Sequence, residues 1–209
     1  TMGNVVVGSY AGTALTTARN VYIGNAAGRN RNSGEDNILI GNAAGGSSSS
    51  PIGNQNIIMG DAPAPSINST GAAQNIIMGY RAANSLTSGA KNVLMGGKDT
   101  AFNLTTGAEN VALGYSAGYY GNNTGGVYIG AYSGPSGSAG HTNEIAIGKL
   151  AIGKGSNTVV LGDDNITDIY MSEDVGATLH TGTVSGSAIS TGSFGAIQSA
   201  GNITPKTDD

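Results

Sequence analysis

The sequence predicts an all-β protein, a β-solenoid of about ten coils. Three observations carry that expectation: a short phrase repeated at near-constant spacing, strands apolar on both faces, and a shortage of charge. The phrase is clearest at Asn110-Val111-Ala112-Leu113-Gly114-Tyr115-Ser116-Ala117-Gly118. It reads Asn, Val or Ile, any residue, an aliphatic, Gly, two variable residues, then a small pair. Its Gly falls at Gly8, Gly24, Gly41, Gly60, Gly79, Gly96, Gly114, Gly130, Gly148 and Gly162, at intervals of 16, 17, 19, 19, 17, 18, 16, 18 and 14 residues. A period that drifts so little marks stacked coils.

Each part of the phrase has a physical reason. Four residues such as Asn37-Ile38-Leu39-Ile40 make a strand of about 13 Å at roughly 3.3 Å per residue. The Gly permits a positive φ or a close backbone approach at the corner. Small residues such as Ala43-Ala44-Gly45 leave room for the next coil. Asn4, Asn20, Asn37, Asn56, Asn75, Asn92 and Asn110 stand at the strand entrances. Asn there tolerates αL geometry and can bond its own backbone. Stacked over coils, these amides are placed to form a ladder.

Side chains alternate along a strand. Pairs such as Val21/Ile23, Ile38/Ile40 and Ile57/Met59 point one way. The residues between them (Val6, Tyr22, Leu39, Ile58, Ile77, Leu94, Ala112, Tyr128, Ala146 and Val160) point the other way, and none is charged. A strand apolar on both faces is expected to be covered on both. A coil of this length is too thin to do so alone, so another copy of the chain, placed by cyclic symmetry, is expected over the outer face.

Composition agrees. Gly is 36 of 209 residues without a strict three-residue period, Pro is only 5, and charged residues are 11%; that share of charge is well below the usual quarter. A net charge of −4 argues against nucleic acid, which calls for a basic stripe. The absence of cysteine removes disulfides and thiolate metal sites. No stretch approaches the roughly 18 apolar residues of a membrane span. The start, Thr1-Met2-Gly3, shows no basic or apolar leader and enters the pattern partway, as a piece of a longer chain would.

Residues 1–162 form the repeat region. Between corners run looser return arms, with a Leu-Thr-Thr/Ser core at Leu15, Leu86 and Leu104, where the Leu pins the arm to the coil. The longest arms, Gly45 to Asn56 and Asp61 to Asn75, carry Pro51, Pro63 and Pro65 and are expected to bulge from one side. Residues 163–174 hold five of the thirteen acids and read as a polar cap and junction. Residues 175–209 are Ser/Thr/Gly-rich with spaced apolars, as in short strands.

The Asn-(Val/Ile)-x-(Ile/Leu/Met)-Gly-x-x-Ala-Gly phrase resembles repeats of phage and large-virus tail-fibre proteins. It is also similar to the heads of trimeric autotransporter adhesins. The resemblance covers about residues 4–162 and is specific for architecture rather than ligand. It implies a left-handed β-roll or β-helix, intertwined as a parallel homotrimer around a fibre axis. Residues 160–172 also resemble the junction that precedes a self-cleaving C-terminal chaperone in such fibres. Autotransporter heads keep a 14-residue period, which occurs here only from Gly148 to Gly162, and this favours the viral fibre. That reading places the chain on a virion surface, with other fibre or tail proteins and host glycans as partners. A bacterial surface adhesin head is the alternative. A monomeric solenoid with an ice-binding face is a further one, although no clean Thr file runs through the coils.

The chemistry is sparse, and neither catalysis nor a cofactor is expected. Gly148 to Lys154 nearly spells a phosphate loop, but Gly155 stands where Ser or Thr would hold Mg²⁺. The stretch reads as a squeezed coil. The acids after Gly162 and the two histidines, His141 and His180, lack metal-ligand spacing. Glu109 and Asp99 could come near each other across stacked coils, short of a paired-carboxylate site. Two histidines leave little scope for a Ser–His nucleophile. Tyr10, Tyr80, Tyr115, Tyr119, Tyr120 and Tyr132 mostly follow the Gly corner or flank the next turn. A row of such rings beside Asn and Ser suits sugar stacking and hydrogen bonding, with packing over the neighbouring coil as the plainer reading.

Overall fold

The computed structural model describes residues 3–46, 51–138 and 140–170. The repeat becomes one parallel ten-stranded sheet whose strands follow chain order. They are β1 Val5–Val7, β2 Val21–Ile23, β3 Ile38–Ile40, β4 Ile57–Met59, β5 Ile76–Tyr80, β6 Val93–Lys98, β7 Val111–Leu113, β8 Val127–Ile129, β9 Ile145–Ile147 and β10 Val159–Leu161. Each strand pairs with the next in one register, so Val21 lies beside Ile38 and Ile38 beside Ile57. Parallel neighbours in strict chain order, joined by a full return arm each time, make a β-solenoid of about nine turns. At about 4.8 Å per strand the sheet spans roughly 45 Å. The solenoid unit runs to Thr167.

Most strands are three residues long rather than four. The Asn before each strand does a separate job. Asn20, Asn37, Asn56, Asn75, Asn92 and Asn110 are buried. The Oδ1 of one accepts the backbone N–H of the next, at 3.0 Å from Asn37 to Asn20, 2.9 Å from Asn56 to Asn37 and 3.0 Å at the next three steps. From Asn56 onward each Nδ2 also donates to the preceding Oδ1 at 3.0–3.1 Å. The same Nδ2 reaches a return-arm carbonyl, Ala72 for Asn56 and Gly89 for Asn75. The ladder therefore ties strand to arm as well as coil to coil. The αL geometry expected of Asn belongs instead to the residue before it. Arg19, Asp36, Gln55, Gln74, Lys91 and Glu109 have φ between 58° and 61°.

Of the two apolar faces, the middle residue of each strand points inward. Tyr22, Leu39, Ile58, Ile77, Leu94, Ala112, Tyr128 and Ala146 are buried, with Ala27, Ala44, Ala82 and Ala117 after the corners. The return arms close the core through Leu86 and Leu104, with Leu15 packed against it. In the two longest arms, of which residues 47–50 lie outside the described residues, the chain returns to the core. Ile52 and Ile67 are fully buried and take the place of the arm leucine. The flanking strand residues form the outer face. They are half-buried in the middle coils and more open at the ends, where Val7 is 56% and Val159 62% exposed.

The corner glycines meet both requirements foreseen for them. Gly60 has φ 136°, and a Cβ there would stand 2.5 Å from the carbonyl oxygen of Gly79. Gly96 departs from the pattern. The register shifts between β5 and β6 after Met78, and Tyr80 pairs with Lys98. The corner Gly96-Gly97-Lys98 carries one extra residue, a β-bulge.

Residues 171–174 of the acidic junction, the tail 175–209 and His180 lie outside the described residues. Asp163 accepts the Asn165 backbone N–H at 3.1 Å and its Nδ2 at 3.0 Å, closing a local turn. Those bonds hold the Asp163 carboxyl below its usual range. No helix among the described residues is long and apolar enough to cross a membrane.

Candidate functional site

The parallel ladder continues past the strands. The Arg81 N–H donates to the Asp61 carbonyl at 3.1 Å, Asp99 to Tyr80 at 3.0 Å, Ser116 to Lys98 at 2.9 Å and Tyr132 to Tyr115 at 2.9 Å. The residue after each corner Gly therefore stacks in a file along the coils. At its start Asn25 Nδ2 donates to Asn42 Oδ1 at 3.0 Å, and Asn42 Nδ2 to Asp61 Oδ1 at 2.7 Å. The file then changes character: Tyr80, Lys98 and Tyr115 follow. The bulge keeps Lys98 in step, with Tyr80 on one side and Tyr115 on the other.

Around this file the rings gather. Tyr115 and Tyr132 lie 5.2 Å apart between centroids. Phe102 and Tyr119 are stacked at 5.3 Å with planes 5° apart, and Tyr119 meets Tyr120 edge-on at 4.7 Å. The Arg81 guanidinium sits 4.6 Å over the Phe102 ring and 5.9 Å from that of Tyr80. Such ring pairs and cation–π contacts hold the side chains in place. Between the two aromatic pairs opens a hollow of about 210 Å³, lined by Ser116, Tyr119, Tyr120, Tyr132, Ser133, Gly134, Pro135 and Ile152. This is smaller than the roughly 300–1,000 Å³ of drug-sized ligand pockets and suits one ring.

Two cations, Arg81 and Lys98, stand on the ridge with one carboxylate between them. Asp99, 13% exposed, has one oxygen 3.7 Å from Arg81 Nε and the other 3.7 Å from Lys98 Nζ. Desolvation first, then the neighbouring Tyr115, holds the Tyr132 phenol above its usual range, and Lys98 pulls it the other way.

The six tyrosines are thus not one row. Tyr119, Tyr120 and Tyr132 line the hollow, and Tyr115 flanks it. Tyr80 stands further along the ridge beside Arg81. Tyr10 is in the first coil, with Arg29 at 5.0 Å over its ring. The site also takes in Arg81, Lys98, Phe102 and Ile152, which the sequence reading passed over. The signal for Lys98 was the extra residue after Gly96.

Other arrangements lead elsewhere. Glu109 pairs with Lys91 at 3.4 Å before β7, whereas Asp99 follows β6, so the two acids stand at opposite ends of the strand. The coil from Gly148 buries Ala151, and Ile152 bridges to Gly134, as in a squeezed coil. A Ser–His contact does exist: Ser136 Oγ is 3.0 Å from His141 Nε2 in an exposed turn. The nearby buried Glu144 is committed elsewhere. It takes the N–H groups of Ser136 at 3.3 Å and Gly155 at 2.7 Å and the Tyr128 hydroxyl at 3.1 Å. Glu144 occupies the position that Asn holds in earlier coils, so it reads as the ladder's variant rung. Among the described residues no group of three His, Asp or Glu is placed to hold a metal. No protein-family model, curated protein or solved structure matches the chain.

Proposed function

We propose that the chain is a structural and adhesive segment of a virion tail fibre. In this reading a parallel homotrimer of solenoids forms a rigid rod, and the aromatic ridge attaches to host-surface saccharides. The observation that carries it is the outer β-face. Its two files, one from Val5 to Val159 and one from Val7 to Leu161, hold only Val, Ile, Leu and Met across ten strands. Apolar surface of that extent marks an interaction site. A second and third copy of the same chain would meet it with the same periodicity. Three ridges on one rod would then act together, so weak single sites give useful avidity. The face lacks the threonine files expected of an ice-binding solenoid.

Light scattering at several dilutions tests the assembly. The expected result is three times the chain mass, persisting on dilution, and reduced to the chain mass by Ile57→Lys in the middle of the outer face. A wild-type monomer at all concentrations would overturn the reading.

A further inference from the structure

Two cations stand along the ridge that carries the aromatic hollow, in a chain whose net charge is −4. Two exposed cations elsewhere pair closely with acids: Arg19 meets both Glu35 and Asp36 at 2.6 Å, and Lys91 meets Glu109 at 3.4 Å. On the ridge, Arg81 and Lys98 share the one carboxylate of Asp99, each at 3.7 Å. That is beyond hydrogen-bond distance, so neither cation spends a donor on it. Their donors stand next to rings whose faces attract sugar C–H groups, and the other acid of the file, Asp61, lies one coil before Arg81 and takes the Asn42 amide at 2.7 Å. The lysine owes its place to the bulge, a device that commonly re-aims a side chain near a site. It rises 44% exposed between Tyr80 and Tyr115.

We propose that the ridge binds an anionic oligosaccharide lying along the coils. One ring stacks in the hollow against Tyr119, Tyr120 and Tyr132. A carboxylate or sulfate on a neighbouring unit takes charge-assisted hydrogen bonds from Lys98 and Arg81. Lys98 belongs to the sixth strand's corner and Tyr132 to the eighth. Two coil steps are about 9.6 Å, which calls for more than one sugar unit. The proposal rests on the saccharide reading above and adds the charge of the ligand to it.

The test is titration of the full chain with three probes: a galacturonate hexamer, a heparin hexamer and maltohexaose. Calorimetry gives the affinities. Tyrosine fluorescence reports stacking directly, because the chain has nine Tyr and no Trp. The expected result is that at least one anionic probe binds about tenfold or more tightly than maltohexaose, the scale of one charge-assisted hydrogen bond. Which anionic probe binds identifies carboxylate or sulfate as the group recognised. Lys98→Gln should remove most of that advantage, and raising the salt from low to high should shrink it. Tyr120→Ala should weaken every probe, and Lys91→Gln, at the other corner, none. Equal affinity for all three probes, or an unchanged advantage in Lys98→Gln, overturns the anionic site and leaves the saccharide reading standing. Failure of all three probes to bind overturns both.

Discussion

At the residue scale, the solenoid depends on side chains whose polar atoms have no water to fall back on. Asn75 accepts the backbone N–H and the Nδ2 of Asn92 at 3.0 Å each, and donates to Asn56 and to the Gly89 carbonyl. Asn75→Leu removes these partners inside the core. Each buried orphan costs about 1–3 kcal/mol, so a loss of about 3 kcal/mol is expected in urea unfolding. A loss below about 0.5 kcal/mol would mean that the ladder is incidental. Glu144 makes the same point with a different acceptor. Glu144→Gln keeps an oxygen for the Ser136 and Gly155 N–H groups but turns an amide donor toward the Tyr128 hydroxyl, which already receives Asn123 Nδ2 and loses the carboxylate it donates to. About 2 kcal/mol of destabilisation is expected by the same measurement. Tyr22 is the reverse case, a buried hydroxyl with no hydrogen-bond partner. Tyr22→Phe should stabilise the fold by about 1 kcal/mol, since it removes that desolvated group.

At the scale of the element, a coil is a short strand, a glycine corner and an arm that returns to the core. The corner must bring two backbones closer than any Cβ permits. At Gly60 both the φ of 136° and the Gly79 carbonyl oppose a side chain. Gly60→Ala should therefore cost about 3 kcal/mol from strain and overpacking combined. Gly137→Ala, in open space, should cost less than about 0.5 kcal/mol. Thermal melts of the two variants check the contrast, and similar losses would refute the packing argument. The exposed ion pairs between coils are a weaker contribution. Arg19 with Glu35 and Asp36, and Lys91 with Glu109, link adjacent turns at the surface, where such pairs add little.

At the scale of the whole molecule, stability should fall in alkali. Burial is the main cause of the raised phenol of Tyr22, pushed up to about 12, and of the raised Tyr128 phenol, to which Glu144 also contributes. A group whose folded pKa lies above its unfolded value stabilises fully below the unfolded pKa. For tyrosine that stability is present below about pH 10 and is lost as pH rises toward the folded pKa. Buried Arg31 acts in the opposite sense, since desolvation lowers it to about 10, and folding gains from its deprotonation above that pH. Two phenols oppose one guanidinium, so melting temperature should be flat from pH 7 to 9 and drop above about 10. Tyr22→Phe should make the drop shallower. A profile unchanged by that substitution would show that the Tyr22 phenol does not govern alkaline unfolding.

The Asn ladder and the corner glycines were legible because they are periodic, and a repeat of fixed content in a parallel stack places like on like. The alternation Ile-Leu-Ile likewise announced two apolar faces, as strand geometry requires. The sequence alone thus determined a β-solenoid, its corners, its ladder and the polar character of its turns, all of which recur with the coil. The tertiary structure decided what does not recur. It selected the middle residue of each strand as core, because a coil of this girth encloses one file of large side chains and leaves two outside. It folded Ile52 and Ile67 into the core from arms of different length. It gathered Arg81, Lys98, Phe102 and five of the six tyrosines into one ridge. A single extra residue at Gly96 sets that register, and its effect appears only when adjacent coils are laid side by side.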